Sequence, residues 1–104
     1  MTKIAYIAGP FNSTDAKGRK SNIKKAEAVA LKYWKLGYIV ICPHLNSGSL
    51  YGKAPEHLFI EGYLELVKIA DVIVMMAGWQ QSPGAVDERL KAIECNKERI
   101  YEKE

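Results

Sequence analysis

Four short apolar runs alternate with three amphipathic stretches along the chain. Lys3 to Ala8 (KIAYIA) is rich in β-branched and aromatic residues and stops at Gly9-Pro10, which predicts a buried first strand. A polar loop from Phe11 to Lys20 follows. Ser21-Asn22 then supplies a helix start, and Ile23, Ala26, Ala30, Tyr33 and Trp34 recur behind it at three- and four-residue steps. Gly37 ends that helix in the manner of a left-handed cap, and Tyr38 to Cys42 (YIVIC) reads as a second strand closed by Pro43. His44 to Pro55 reads as an irregular loop rich in Gly and Ser, of a length associated with function. Glu56 to Ala70 predicts a second amphipathic helix, in spite of Gly62, and Val72 to Met76 (VIVMM) a third buried strand. After a turn over Ala77 to Gln81, Ser82 caps a third helix reaching about Cys95. Pro83 takes its first position, where a missing N–H costs nothing. Arg99 to Tyr101 makes a short fourth strand.

Continuous rather than alternating apolar strands, in the order β-α-β-α-β-α-β, predict an α/β fold. The expected form is a flavodoxin-like, doubly wound parallel sheet of four to five strands with helices on both faces, in one domain over residues 1–104. Ligands of such sheets bind beyond the carboxyl ends of the strands, where strand order reverses. That directs attention to Gly9–Lys20, Pro43–Pro55 and Ala77–Gly84.

Composition narrows the class without choosing a chemistry. With 48% hydrophobic and 26% charged residues the chain reads as an ordinary globular domain rather than a disordered tail. The net charge of +3 is too small to argue for nucleic acid, and the basic residues from Lys17 to Lys35 read as a solvated helix face before they read as a nucleic-acid surface. Ile4 to Ala8 is too short for a signal-peptide core, and Val72 to Trp79 falls far below the roughly 20 residues that span a bilayer. A cytoplasmic protein with no membrane partner is expected. Cys42 and Cys95 lack CxxC spacing and read as free thiols in a reducing compartment, with a disulfide or metal pair as the alternative. His44 and His57 are too widely separated across a loop to suggest a metal site.

Among the three loops, the last is the most informative. Ser82-Pro83-Gly84 sets a hydroxyl and backbone N–H groups at a helix N-terminus, a ready anion site. Glu88 follows six residues later, about 9 Å along the axis, on the face that Gly84 leaves open. A capped helix with a solvated Glu is the plain alternative. Phe11 and Trp79 are placed to stack on a base, or else to pack in the core. Asn12, Lys17, Arg19 and Lys20 offer further donors or charge.

The constellation Tyr6-Ile7-Ala8-Gly9, then Ala70-Asp71-Val72-Ile73-Val74, then Ser82-Pro83-Gly84-Ala85-Val86-Asp87-Glu88 with Ala92, resembles the nucleoside 2-deoxyribosyltransferase superfamily. It is most similar to the small phage and bacterial members, whose Gly-Pro after the first strand and Gly-Trp-x-x-Ser-x-Gly-Ala-x-x-Glu segment are met by Gly9-Pro10 and by Gly78-Trp79 through Glu88. The resemblance implies cleavage or transfer at the N-glycosidic bond of a 2′-deoxynucleoside or its 5′-monophosphate. In that scheme Glu88 is the nucleophile that forms a covalent glycosyl-enzyme, and Tyr6 orients it. Members acting on monophosphates carry Ser where nucleoside-specific members carry Asp, and this chain has Ser82, so Ser82 with Gly84 would bind the phosphate. Gly9, Pro10, Phe11, Asn12, Arg19, His44 and Trp79 are the accompanying substrate-binding candidates. No metal or organic cofactor is implied.

One position departs from the pattern. The family's hydrolases place an Asp eight residues before the Asp of the Ala-Asp pair, to protonate the leaving base; here that position is Tyr63. Glu56, two helical turns earlier on the same face, or Tyr63 itself are the candidate acids, with His44 and His57 behind them. Asp71 belongs at the opposite end of the sheet. The departure keeps a rival open: a nucleotide-binding protein that sequesters a nucleotide or nucleotide-derived signal without turning it over. A basic nucleic-acid-binding domain, whose affinity would fall steeply with salt, is the third reading. Full-length members of the superfamily are dimers whose neighbour closes the pocket, and a chain stopping just after its fourth strand is expected to work as a homodimer or higher homo-oligomer.

Overall fold

A computed structural model describes residues 2–103. Strand β1 (Ile4–Ala8) leads into helix α1 (Ala16–Lys35), β2 (Ile39–Ile41) and a short helix α2 (Pro43–Ser47). A 3₁₀ turn (Gly48–Leu50) precedes helix α3 (Glu56–Ile69) and strand β3 (Val72–Met75). A second 3₁₀ turn (Trp79–Gln81), helix α4 (Pro83–Glu94) and β4 (Glu98–Tyr101) complete it.

The fold is α/β, with a four-stranded, all-parallel sheet in the order β2-β1-β3-β4, as in flavodoxin-like proteins. Strand order reverses between β1 and β3, the two central strands. Alternation along them divides the core into two. Ala5 and Ile7 of β1, with Val72 and Val74 of β3, pack with Ala26, Ala30 and Tyr33 of α1. Tyr6, Ala8, Ile73 and Met75 face the other way, onto Val67 of α3 and Ala85 and Ala92 of α4. Asp71 sits at the start of β3, away from the strands' carboxyl ends. Its Oδ2 accepts from the Ile4 N–H at 2.7 Å, tying the two central strands together. No helix among the described residues is long and apolar enough to cross a membrane.

Two local expectations are corrected. Helix α1 begins at Ala16, not at Ser21, because Asp15 is its cap: the Asp15 carboxylate accepts from the Gly18 N–H at 2.8 Å. Gly18 fits the tight entry, since a Cβ there would collide with Ser13 Oγ. Lys17, Arg19 and Lys20 therefore ride on a helix rather than a loop. Nor is His44–Pro55 irregular throughout. Pro43, at the first helical position, presets the backbone for α2, and the N–H groups of Leu45 and Asn46 both bond the Cys42 carbonyl. At the far end of α1 the expected stop holds. Gly37 takes φ +98°, and the Tyr38 and Gly37 N–H groups bond back to the Tyr33 and Trp34 carbonyls.

Candidate functional site

The site is built on a contact between the central strand and α4. Tyr6 is fully buried in mid-β1, with its ring on the α3/α4 side. On α4, Ala85 and Ala92 are the small residues that let the helix lie close on the sheet. Glu88 stands between them, at three- and four-residue steps on the same inward face. Its placement thus follows from the helix period. The Tyr6 hydroxyl donates to Glu88 Oε2. Burial withdraws water from the Glu88 carboxyl and raises its pKa. The Tyr6 hydrogen bond opposes this, the nearby Asp87 charge adds to it, and the net result is a carboxyl pushed up to about 7. Burial and the facing carboxylate push the Tyr6 phenol far above its ordinary range, so Tyr6 acts only as a donor. The edge of Tyr63 packs against Tyr6, ring centroids 6.5 Å apart.

Above this pair, beyond the strands' carboxyl ends, lies a cavity of about 620 Å³. Gly9, Pro10, Phe11 and Asn12 from the loop after β1 form one wall, and Ser82, Gly84 and Glu88 another. Glu56 and Tyr63 of α3 contribute a third, and His44 lies behind. These groups come from separate stretches spread between Gly9 and Glu88, so their convergence is a product of the fold. Two expected binders lie outside the wall. The Arg19 guanidinium stacks 4.2 Å above the Tyr51 ring, which does line the cavity. Trp79 packs 5.9 Å from Tyr101, with Arg89 5.0 Å over its own ring. Arg19 is held there by the early start of α1, and Trp79 by a 3₁₀ turn that faces β4.

Several polar groups already have tasks. His44 is buried, and its Nε2 lies 2.7 Å from the Pro10 carbonyl, which can only accept, so Nε2 carries the proton. Burial lowers its pKa against the opposing effect of that bond, giving a neutral ring that fastens the β1 loop to α2. The Tyr63 hydroxyl is held by Ser47 Oγ at 2.5 Å and accepts from Asn46 Nδ2 at 3.0 Å. Glu56 is exposed, and accepts from Asn12 Nδ2 at 3.5 Å. At the start of α4, Ser82 Oγ accepts from the Ala85 N–H at 3.2 Å and the Ser82 carbonyl from Val86 N–H at 2.9 Å. Pro83 has no N–H, which leaves the Gly84 N–H and the Ser82 O–H as the donors of that helix end.

Asp87, Tyr51 and Phe59 also line the cavity and were not singled out by sequence. Phe59 carried a usable signal, lying four residues before Tyr63 on one helix face. Asp87 looked like any exposed helix charge. Among the described residues no group of three or more His, Cys, Asp or Glu is gathered as for a metal ion. The arrangement is a carboxyl near half-ionisation at neutral pH, fixed by a hydroxyl donor at the floor of a largely apolar cavity. Such a group can attack an electrophilic carbon or move a proton.

The chain belongs to the family described as "Domain of unknown function (DUF4406)", whose profile matches residues 3–101. A comparison with curated proteins gave no match.

Proposed function

We propose that the chain is a branch of the nucleoside 2-deoxyribosyltransferase superfamily and breaks or transfers the N-glycosidic bond of a 2′-deoxynucleoside or its 5′-monophosphate. The observation that carries this reading is the Tyr6–Glu88 pair at the cavity floor, with a carboxyl pushed up to about 7. Ionised Glu88 attacks the anomeric carbon. The bond to the base breaks, its electron pair leaves with the base, and the base takes a proton from water. Water then opens the glycosyl ester, releasing the sugar and restoring Glu88; a second base in place of water gives transfer. Tyr6 keeps one carboxylate oxygen occupied and leaves the other for attack.

The same reading includes a cytoplasmic location and a homodimer whose second copy closes the cavity mouth. Ile60, a cavity-lining side chain that is 44% exposed, is consistent with a mouth left open by one copy alone. Sedimentation showing a strict monomer would remove that part. The activity is tested by incubating the protein with deoxynucleosides and their monophosphates and measuring free base by chromatography. Base release that Glu88→Ala abolishes is the expected result. Release from none of them, or release that Glu88→Ala leaves unchanged, defeats the proposal.

Tyr63 favours a second reading. It stands where the superfamily's hydrolases carry their acid, and its hydroxyl is already held by Ser47 and Asn46. A protein that binds a nucleotide without cleaving it would show tight binding by calorimetry, with the ligand recovered intact after long incubation.

A further inference from the structure

We propose that Asp87 is a charge filter: it accepts a hydrogen bond from the sugar's 5′-hydroxyl and turns away a 5′-phosphate, so that the site takes the free nucleoside. This rests on the glycoside-cleaving reading above, runs against the nucleotide-sequestering one, and sharpens the first against the expectation attached to Ser82. Three features of the site support it.

The first is the gap over Gly84. A Cβ built there meets nothing within 4 Å beyond its chain neighbours and its own helix backbone, and the adjoining wall is lined by Ser82 and Gly84. Asp87 and Glu88 lie three and four residues further along the helix, the two positions that neighbour Gly84 on its surface. Any group seated over Gly84 therefore lies beside two carboxyl groups, and Glu56 adds a third to the same cavity.

The second is the supply of donors. Ala85 and Val86 spend their N–H groups on Ser82, and Pro83 has none, so the helix end presents one amide and one hydroxyl. A phosphate dianion has three terminal oxygens and is ordinarily met by several amides together with Arg or Lys. A 5′-hydroxyl needs one donor and one acceptor, which the Gly84 N–H and the Asp87 carboxylate supply.

The third is the absence of compensating charge. Among the described residues no Lys or Arg lines the cavity. His44 is neutral and engaged with Pro10, and Arg19 touches the wall only through the Tyr51 ring.

The test compares each deoxynucleoside with its own 5′-monophosphate, for the unaltered protein and for Asp87→Asn. The readout is the ratio of the two kcat/KM values, because removing Asp87 also changes the Glu88 carboxyl, and that change affects both substrates alike. The unaltered protein should favour the nucleoside by about tenfold or more, and Asp87→Asn should shrink the ratio about fivefold, chiefly by improving the monophosphate. Preference for the monophosphate, or a ratio that Asp87→Asn leaves unchanged, overturns the proposal while leaving glycoside cleavage intact. If neither substrate is turned over, the same ratio is read from Kd by calorimetry. Tighter nucleoside binding then keeps the filter and removes the enzyme, whereas binding of neither overturns both.

Discussion

Among the described residues two tyrosines donate their hydroxyls to glutamates, and the two pairs end in opposite states. Tyr33 on α1 donates to Glu102 Oε2 at 2.7 Å, and Lys32 Nζ reaches both oxygens of the same carboxylate at 2.9 and 3.1 Å. Partial burial would raise the Glu102 pKa, but the hydrogen bonds from Lys32 and Tyr33, with the Lys32 charge, hold it below the ordinary range. Tyr6 and Glu88 have no such lysine. Their third neighbour is Asp87, which adds repulsion to burial, and the carboxyl rises to about 7. Residue types alone do not separate these pairs; depth of burial does so first, since Glu88 is far more deeply buried than Glu102, and the third partner adds to the difference. With a cation the pair is a pin that fastens the segment after β4 to α1. Without one, beside a cavity, it is a group whose proton is easily gained and lost at neutral pH.

The largest test of that contrast is removal of each carboxylate in turn. Glu88→Gln should cut turnover by about a thousandfold or more, while Glu102→Gln should leave kcat/KM within about twofold, measured on whichever substrate releases base. Equal losses in both variants would dissolve the distinction.

Stability should then run in opposite directions with pH. Glu88, raised in the folded state, contributes stability that is complete below about pH 4.5 and is lost as pH rises through about 7, on the order of 3 kcal/mol across that window. Glu102, lowered in the folded state, contributes stability that is present above its unfolded pKa and is lost as pH falls through its folded one. Urea denaturation from pH 4.5 to 7.5 should show Glu88→Gln abolishing the decline and standing above the parent at the upper end. A decline that persists in Glu88→Gln would assign the slope to another group.

Tyr6→Phe tests the donor rather than the acceptor. Loss of the hydroxyl removes the contact that favours the carboxylate, so the acid limb of kcat/KM should move upward from about 7. With Glu88 no longer oriented, the rate should fall about tenfold to a hundredfold. An unmoved limb would show that Tyr6 does not control the proton on Glu88.

The main features of the Glu88 region were legible in the sequence because helix period and capping are local rules. Ser82 and Pro83 mark the start of α4, and the Ala85, Glu88, Ala92 spacing places the carboxyl on the packed face. The continuous apolar strands likewise announced a parallel sheet. Other parts depended on contacts no local rule contains. Asp15 and Ser21 are equally good cap residues, and only the bond to Gly18 shows which one α1 uses. The segment after Pro43 has loop composition, yet it closes into helical turns through its own backbone bonds. The engagement of His44 with a carbonyl 34 residues away has no signature in the chain. Neither has the side of its loop toward which Trp79 turns.

Tyr33→Phe gauges the pin. It should cost about 1–2 kcal/mol by leaving Glu102 with Lys32 alone, and leave activity unchanged. Gly84→Ala gives the smallest stability effect and the most pointed contrast with it. A Cβ at Gly9 would come within 2.5 Å of Met76 Sδ, so that glycine is required by the protein's own packing. At Gly84 a Cβ meets nothing within 4 Å beyond its chain neighbours and its own helix backbone, and alanine in a helix is the better former, so the folded protein should gain a few tenths of a kcal/mol, on the order of 0.5. Nothing within the chain therefore accounts for the glycine. If a sugar approaches α4 at this point, the added methyl should raise KM or Kd even as the denaturation midpoint rises. A variant that is both more stable and as active as the parent would place the substrate elsewhere in the cavity, and would leave Glu88 without the neighbouring space that its proposed attack requires.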